Sequence, residues 1–271
     1  MFEEANVIVY DALWCRILED SHPNMKIGYY LIDEVRREAY NDKINKTRYS
    51  NDEYACIHSD FIMTMTGLLA QSRKQYNDHV FVIGNGATIP VNDEAQKIHL
   101  SRSVGFVGNF RDWIDTDLLE SLIRNRKDLL FVFAGNVEDK VKPCLEGLLS
   151  NYANTFYAGR FKKEDAHRAY HLTDVIIVPY KQNEFIKHTR PIKIVEAVMA
   201  GKPVVTVPVD GYCESHFIKY ANDVESFGRA IDYFLEHPVK KDTIEYQQFI
   251  KDNSWSSKAK LILEAFASCS P

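Results

Sequence analysis

Cysteine is scarce in this sequence and is never paired at short spacing. The five cysteines, at positions 15, 56, 144, 213 and 269, include no Cys-x-x-Cys pair. A disulfide framework needs conserved-looking pairs of cysteines, and a thiolate metal site needs closely spaced ones. The sequence therefore predicts neither, and we expect all five cysteines to be reduced packing residues.

Long apolar runs are also absent. No window approaches the roughly 18 uncharged apolar residues that cross a bilayer, although 45% apolar residues in a chain of 271 are enough for an ordinary core. The first residues, Met-Phe-Glu-Glu-Ala-Asn, lack the basic start of a signal peptide. We therefore expect a soluble protein that stays in the cytoplasm.

The chain has no excess of positive charge. Its 33 Lys and Arg residues against 38 Asp and Glu residues give a formal net charge of −5. Binding to nucleic acid requires basic residues clustered on one face, where they neutralise phosphates. We therefore expect no nucleic acid partner.

One segment, residues 36–48, is locally basic. Five basic residues there face two acidic ones, namely Arg36, Arg37, Lys43, Lys46 and Arg48 against Glu38 and Asp42. Mixed charge of this kind fits a solvated helix face. It also fits a patch that holds the protein near anionic lipid, which would place it at the inner face of the membrane.

Apolar runs of strand length alternate with helical patterns along the whole chain. This alternation is typical of parallel βαβ units and predicts the α/β fold class. Four strand candidates come first, at Asn6–Tyr10, Lys26–Ile32, Phe61–Thr64 and Val80–Ile83. Five follow, at Ser103–Val107, Leu129–Ala134, Thr155–Tyr157, Val175–Pro179 and Pro203–Val207, with helices near residues 115–126, 140–149, 163–172 and 191–200.

The polar stretch 88–102, which contains Pro90 and Asn92-Asp93-Glu94, is typical of a linker. It predicts a first domain at residues 1–95 and a second domain at residues 96–271, with helices at the C-terminus. The first domain has few strands for a doubly wound sheet and begins with a strand rather than a Gly-rich βα unit. We therefore expect the N-terminal part of this domain to be incomplete.

The segment around Pro191–Gly201 predicts an anion site. Pro191 suits the first helical turn and Gly201 the C-terminal end, while the unpaired N–H groups and dipole of a helix N-terminus favour an anion. Lys193 and Glu196 are three residues apart on one face, so an exposed Lys193 would meet a diphosphate and Glu196 two ribose hydroxyls. The alternative is an ordinary surface Lys–Glu pair, worth about 0.2–0.5 kcal/mol.

A second candidate is the Gly105-Phe-Val-Gly108-Asn109 sequence at the end of a strand. Glycines in a βα turn let the backbone approach a diphosphate closely, although simple turn chemistry is the alternative. Arg111 would add positive charge to the same anion site unless it is only solvated.

Four blocks of sequence together resemble the donor domain of GT-B glycosyltransferases, which have two Rossmann-like domains. The blocks are Val104–Asp115, Asn154–Arg160, Asp174–Tyr180 and Pro191–Val205, and their order and spacing match over about the last 170 residues. Within that superfamily the chain most resembles bacterial enzymes of exopolysaccharide and teichuronic acid synthesis, including the xanthan glucuronosyltransferase.

The resemblance implies a transferase that moves a sugar from a nucleoside diphosphate sugar to a glycan or lipid-linked acceptor, with no separate cofactor. It implies that Lys193 meets the diphosphate and Glu196 the ribose. The remaining donor contacts would come from Gly108, Asn109, Arg111, Arg160, Tyr180 and Arg190.

Asp33 is the candidate catalytic base. It follows the strand Lys26–Ile32, and in the similar xanthan enzyme an Asp at this place is the general base. Partial burial at a cleft between domains would raise its pKa to a useful value, whereas the alternative is that Asp33 caps the next helix. Retaining relatives carry a second Glu where this chain has His188, so the stereochemistry stays open, and Asp33 as a base favours inversion.

The Asp115-Thr116-Asp117 sequence imitates a metal-binding Asp-x-Asp motif. It precedes a helical pattern, where Asp residues serve as caps, so we predict no metal there. Two other functions stay open for the chain as a whole. One is a nucleotide-sugar-binding subunit that needs a second chain to complete the acceptor domain, and the other is a sugar-nucleotide epimerase.

Overall fold

The computed structural model describes residues 5–35, 42–88, 100, 102–162 and 165–269. Contacts divide these residues into two units. The first contains the described residues of Met1–Gly86, Lys187–Arg190 and Trp255–Pro271, and the second contains those of Ala87–Ile186 and Pro191–Ser254. The predicted boundary between residues 95 and 96 lies outside the described residues.

A four-stranded parallel sheet forms the centre of the first unit, with its strands in sequence order. The strands are β1 (Asn6–Val9), β2 (Lys26–Leu31), β3 (Phe61–Thr64) and β4 (Val80–Val82). The helices between them are α1 (Leu13–Ser21), α2 (Asp42–His58) and α3 (Gly67–Arg73). The four predicted strands are confirmed, with differences only at their C-terminal residues.

The core of the first unit includes a helix from the far end of the chain. This helix, α11 (Trp255–Ser268), contributes Ala265 and Phe266 to the apolar cluster around β2 and β3. The Phe266 ring meets the edge of Phe61 with 4.7 Å between ring centres. The sequence prediction assigned α11 to the second domain, but its apolar face packs in the first unit.

The second unit contains a six-stranded parallel sheet in the order β10, β9, β8, β5, β6, β7. Its strands are β5 (Ser103–Val107), β6 (Leu130–Ala134), β7 (Thr155–Gly159), β8 (Val175–Val178), β9 (Val204–Thr206) and β10 (Ile218–Tyr220). Five of the six match predicted strands. The sixth, β10, escapes prediction because it is three residues long with Lys219 at its centre.

The helices of the second unit agree with the predicted alternation. They are α4 (Thr116–Asn125), α5 (Lys142–Asn151), α6 (Ala166–His171), α7 (Glu184–Lys187, whose last residue belongs to the first unit), α8 (Ile192–Met199), α9 (Val224–Glu236) and α10 (Ile244–Asp252). Residues 163 and 164, where the third predicted helix would begin, lie outside the described residues. No helix in the described part of the chain has the length and apolar character needed to cross a bilayer.

Asp115 is the N-cap of α4. Its carboxylate accepts a hydrogen bond of 2.9 Å from the backbone N–H of Leu118, which satisfies one of the unpaired donors of the first turn. The prediction that this aspartate caps a helix is confirmed.

The order of strands in the second sheet reverses at β5. Strand β6 follows on one side, whereas β8 lies on the other side. The helices that connect neighbouring strands depart in different directions at such a point, which leaves a crevice at the carboxyl ends of the strands where doubly wound sheets bind ligands. We therefore expect ligand-binding residues in the loops that follow β5, β6 and β8.

Candidate functional site

A cavity of about 400 Å³ opens at this edge of the second sheet. Its wall combines the loops after β5, β6 and β8 with the first two turns of α8 and one face of α6. The lining residues are Val107, Gly108, Asn109, Trp113, Gly135, Asn136, Phe161, Ala166, Tyr170, Tyr180, Ile192, Lys193 and Glu196. The cavity therefore has one cationic and one anionic side chain among apolar, aromatic and amide groups.

Two glycines allow the loops after β5 and β6 to approach each other. Gly108 and Gly135 have φ angles of 130° and 132°, which side chains with a Cβ rarely adopt. A Cβ on Gly135 would overlap the carbonyl oxygen of Gly108, and a Cβ on Gly108 would lie 2.9 Å from Lys193 Nζ. The bare backbone at Gly108 thus keeps the space beside the ammonium open. Gly105 differs from the prediction because it is buried within β5 and is not part of a turn.

The N-terminus of α8 borders the cavity through Ile192 and Lys193. Pro191 is the N-cap, and its side chain has no acceptor for the N–H groups of the first turn. These donors and the positive end of the helix dipole are suited to an anion. Ala200 is the C-cap and Gly201 follows it, so the limits that the sequence predicts for this helix are confirmed.

Lys193 is buried, with 9% of its surface exposed. The expectation of an exposed lysine is therefore wrong, because the rings of Phe106 and Tyr180 enclose the side chain. Its Nζ lies 4.0 Å from the centre of the Phe106 ring and 5.2 Å from that of Tyr180. No carboxylate in the described part of the chain pairs with it. The ammonium is held by aromatic faces and stays available to an anion.

Glu196 lines the same cavity one turn further along α8. Its Oε2 accepts a hydrogen bond of 2.8 Å from the hydroxyl of Tyr170. Among the described residues, Lys193 and Glu196 form no ion pair with each other, so they are not an ordinary surface pair. The two side chains present opposite charges to the same space.

Tyr170 belongs to α6 and is almost completely buried. Burial, and then the nearby charge of Glu196, raise the pKa of Tyr170 well above its ordinary value. Its phenol is therefore neutral and donates to the carboxylate. The sequence prediction missed this residue, because an aromatic side chain in a helical pattern is indistinguishable from a core residue.

Gly135 and Asn136 were also missed. The available signal was a glycine placed directly after the apolar strand β6, in the same position that Gly108 occupies after β5. Trp113 and Phe161 carry no comparable signal, since isolated aromatic residues in loops are common.

The predicted donor contacts are only partly brought together. Five of them line the cavity, namely Gly108, Asn109, Tyr180, Lys193 and Glu196. Arg111 and Arg160 do not line it: Arg111 lies over the Trp113 ring at 5.0 Å, and Arg160 is exposed after β7. Arg190 belongs to the first unit, where its guanidinium packs against Gly84. The roles of these three arginines stay predictions.

Asp33 follows β2 and is exposed. It lines a cavity of about 410 Å³ in the first unit, together with Tyr10, Asp11, Ala12, Tyr29, Glu34, Val35, Arg48 and Asn51. Residues 36–41, where a helix that Asp33 could cap would start, lie outside the described residues. Both predicted roles of Asp33, base and cap, therefore stay predictions.

The next residue, Glu34, is held in place by an ion pair with a buried arginine. Arg73 is 1% exposed, and its Nη2 lies 2.9 Å from Glu34 Oε1 and 3.1 Å from Asp52 Oδ2. Tyr29 donates to the other oxygen of Asp52 at 3.0 Å. Because a buried charge is tolerated only when it is paired and hydrogen-bonded, this network gives one wall of the cavity a fixed geometry.

Comparison with known protein families gives a match to most of the second unit. Residues 101–237 match the family model described as "Glycosyl transferases group 1". The putative teichuronic acid biosynthesis glycosyltransferase TuaH of Bacillus subtilis (strain 168) is 26% identical over 102 residues, which are 38% of this chain and 25% of TuaH.

Solved structures resemble the chain over almost its full length. The structure of TarM has a TM-score of 0.71 at 11% identity and covers 96% of this chain and 54% of TarM. HepE from Anabaena, solved in complex with UDP and glucose, has a TM-score of 0.71 at 14% identity and covers 97% of this chain and 77% of HepE. The chain thus spans about half the length of TarM. This likeness confirms the predicted fold class, with two Rossmann-like units.

Proposed function

Because the chain belongs to the glycosyl transferases group 1 family, we propose that it transfers a sugar from a nucleoside diphosphate sugar to a glycan or lipid-linked acceptor. The observation that carries this proposal is the buried Lys193 ammonium, which no carboxylate of the described residues neutralises and which stands beside the N-terminus of α8. The similarity to TuaH, named for teichuronic acid synthesis, supports a role in cell-surface polysaccharide.

The donor is proposed to bind with its diphosphate at the first turn of α8. There the backbone at Gly108 leaves space, Lys193 supplies a charge-assisted contact, and the helix N-terminus supplies free N–H groups. Glu196 would accept hydrogen bonds from the ribose. A cavity of about 400 Å³ falls within the usual range for small-molecule sites, and HepE, of similar fold, has been solved with UDP and with UDP-glucose.

We propose a transfer without a metal ion. When the bond between the sugar and the diphosphate breaks, the departing diphosphate gains negative charge. A preorganised cation and the end of a helix dipole stabilise such charge without reorganisation. Lys193 and α8 would serve this role, and Arg111 and Arg190 would add positive charge if donor binding moves their side chains.

Asp33 is the proposed general base. It would take the proton of the acceptor hydroxyl as that oxygen attacks the anomeric carbon and the diphosphate leaves from the opposite side. This course inverts the configuration of the sugar. The presence of His188, where retaining relatives have a second glutamate, agrees with inversion.

We propose two partners on the acceptor side of the reaction, an anionic membrane surface and a second chain. Lys46 and Arg48 are exposed on α2 and would contribute to contact with an anionic membrane surface. A second chain that contributes to the acceptor side is the other proposed partner, and turnover that appears only when such a chain is added would support it.

Binding and turnover measurements test the proposal together. Calorimetry with UDP, ADP, GDP and pyrophosphate should show binding of at least one nucleotide, and the corresponding donor sugars should be hydrolysed or transferred. Binding without turnover would instead favour the partner-dependent binding subunit. Conversion of the free donor into another sugar nucleotide would favour an epimerase, and no binding at all would contradict the proposal.

A further inference from the structure

Tyr170 connects two helices at the rim of the candidate donor site. It lies on α6, and its hydroxyl is 2.8 Å from Oε2 of Glu196 on α8. With 2% of its surface exposed, the ring is almost completely buried and has little freedom to move. The hydroxyl is therefore a fixed point from which the carboxylate is held.

The hydrogen bond leaves Glu196 with two different oxygens. Oε2 is occupied by the phenol, whereas Oε1 accepts no hydrogen bond from the described residues. A glutamate without a partner samples several rotamers, and its ordering opposes ligand binding. Because Tyr170 selects one rotamer in advance, the carboxylate that lines the cavity is ordered before any ligand arrives, with Oε1 left to accept a hydrogen bond from that ligand.

Because its phenol is neutral, Tyr170 is the donor in this hydrogen bond and Glu196 is the acceptor. Burial and the charge of Glu196 both raise the pKa of the phenol, so the proton stays on the tyrosine and the phenol remains the donor to Glu196. A charged acceptor forms the stronger hydrogen bond with a ligand hydroxyl.

We propose that Tyr170 is a positioning residue that fixes Glu196 for recognition of the ribose. The inference rests on the proposed function, since it takes the ligand of the cavity to be a nucleotide. It adds a residue outside α8 to the site, and it predicts a specific loss of ribose recognition when the phenol hydroxyl is removed. General packing by the ring predicts no such specificity.

The test is the Tyr170→Phe variant, which keeps the ring and removes only the hydroxyl. Calorimetry would compare UDP, 2′-deoxy-UDP, 3′-deoxy-UDP and pyrophosphate. We expect UDP to bind roughly two- to tenfold more weakly, by the net contribution of one hydrogen bond. Pyrophosphate affinity should be unchanged, and the preference for UDP over at least one deoxy analogue should shrink.

Tyr246→Phe is the matched control. Tyr246 is also buried, with 4% exposed, and its hydroxyl donates to the Val198 carbonyl at 2.9 Å near the other end of α8. It does not line the cavity. This variant should lower the melting temperature without changing the ratio of UDP to pyrophosphate affinity.

A double-mutant cycle separates positioning from packing. In a Glu196→Ala background, Tyr170→Phe should have no further effect on UDP affinity, because the carboxylate it positions is gone. An equal loss in both backgrounds would overturn the proposal, as would a Tyr170→Phe variant with unchanged preference for the ribose hydroxyls. If the wild-type protein binds none of the nucleotides, both this inference and the proposed function fail. If the wild-type protein binds UDP and Tyr170→Phe binds every ligand as the wild-type protein does, this inference alone fails.

Discussion

The ammonium of Lys193 lies 4.0 Å from the centre of the Phe106 ring, on the strand that precedes the Gly108 turn. An aromatic face stabilises a cation without neutralising it. A carboxylate in the same place would stabilise the lysine more strongly but would compete with any anionic ligand. The Phe106 ring thus allows a lysine to be buried and still bind an anion.

Replacing Lys193 with alanine should weaken binding of a nucleoside diphosphate by about 1.5–3 kcal/mol, the range for hydrogen bonds to charged groups. Calorimetry with the nucleotide and with pyrophosphate would measure it, and both affinities should fall because both ligands carry the diphosphate. The variant should also lose about 0.5–2 kcal/mol of unfolding free energy, because a buried cation–π contact is removed.

Lys219 provides the matched control for Lys193. Its Nζ lies 4.1 Å from the centre of the Tyr233 ring, and it does not line the cavity. Lys219→Ala should therefore reduce the unfolding free energy in the same way and leave nucleotide affinity unchanged. If both lysine variants bind the nucleotide as well as wild type, Lys193 is not part of the site.

Glu196 should distinguish a nucleotide from pyrophosphate. Glu196→Gln keeps the shape and one acceptor oxygen but loses the charge, so it should weaken nucleotide binding less than Glu196→Ala does. Both variants should bind pyrophosphate about as well as wild type, because pyrophosphate has no ribose. Equal losses for nucleotide and pyrophosphate in titration calorimetry would mean that Glu196 acts only through the fold.

Gly108→Ala should disturb the diphosphate position directly. The added Cβ would lie 2.9 Å from Lys193 Nζ, at a φ of 130°. Backbone strain of this kind costs about 1–3 kcal/mol, and displacement of the ammonium should weaken both nucleotide and pyrophosphate binding. Thermal denaturation and calorimetry would measure the two effects.

Gly147 offers the opposite outcome for the same substitution. It lies in α5, and a Cβ there would meet no atom within 4 Å. Gly147→Ala should raise the unfolding free energy by up to about 1 kcal/mol, as expected for glycine in a helix, without changing ligand affinity. A Gly108→Ala protein that behaves like Gly147→Ala would remove Gly108 from the site.

The sequence predicts the strands well because most of them are short apolar runs that are buried in a parallel sheet. It also predicts α8 and two of its functional side chains, since their signals are local: a proline, a glycine and a spacing of three. The burial of Lys193 was not predictable in this way. It depends on Phe106 in a strand much earlier in the chain, and lysine is rarely buried in proteins.

The missed contacts have the same physical origin. Tyr170 and Glu196 are 26 residues apart, and they meet only because α6 and α8 pack on the same sheet. Gly135 is required because the loop after β6 touches the backbone at Gly108, which no local pattern encodes. The position of α11 in the first unit likewise depends on tertiary packing and not on sequence order.

The Asp33→Asn variant tests whether the chain catalyses transfer or only binds the donor. As a general base it would take the proton of the acceptor hydroxyl, and base catalysis typically contributes about 10²–10⁴-fold to the rate. The variant should therefore retain nucleotide affinity in calorimetry and lose transfer by a factor in that range. If Asp33 only caps a helix, asparagine is nearly as good a cap, and both stability and transfer should stay close to wild type.

The matched control for Asp33→Asn is Asp78→Asn, which makes the same change at another exposed aspartate of the first unit that lines neither cavity. Because its carboxylate has no place in the proposed reaction, transfer should be unchanged. The rate should be measured with the donor found in the binding screen, and with a partner chain if turnover needs one. Full-rate transfer by Asp33→Asn would rule out Asp33 as the base. The proposal of inversion would then lose its main support, because His188 shows only that the second glutamate of retaining relatives is missing from its position.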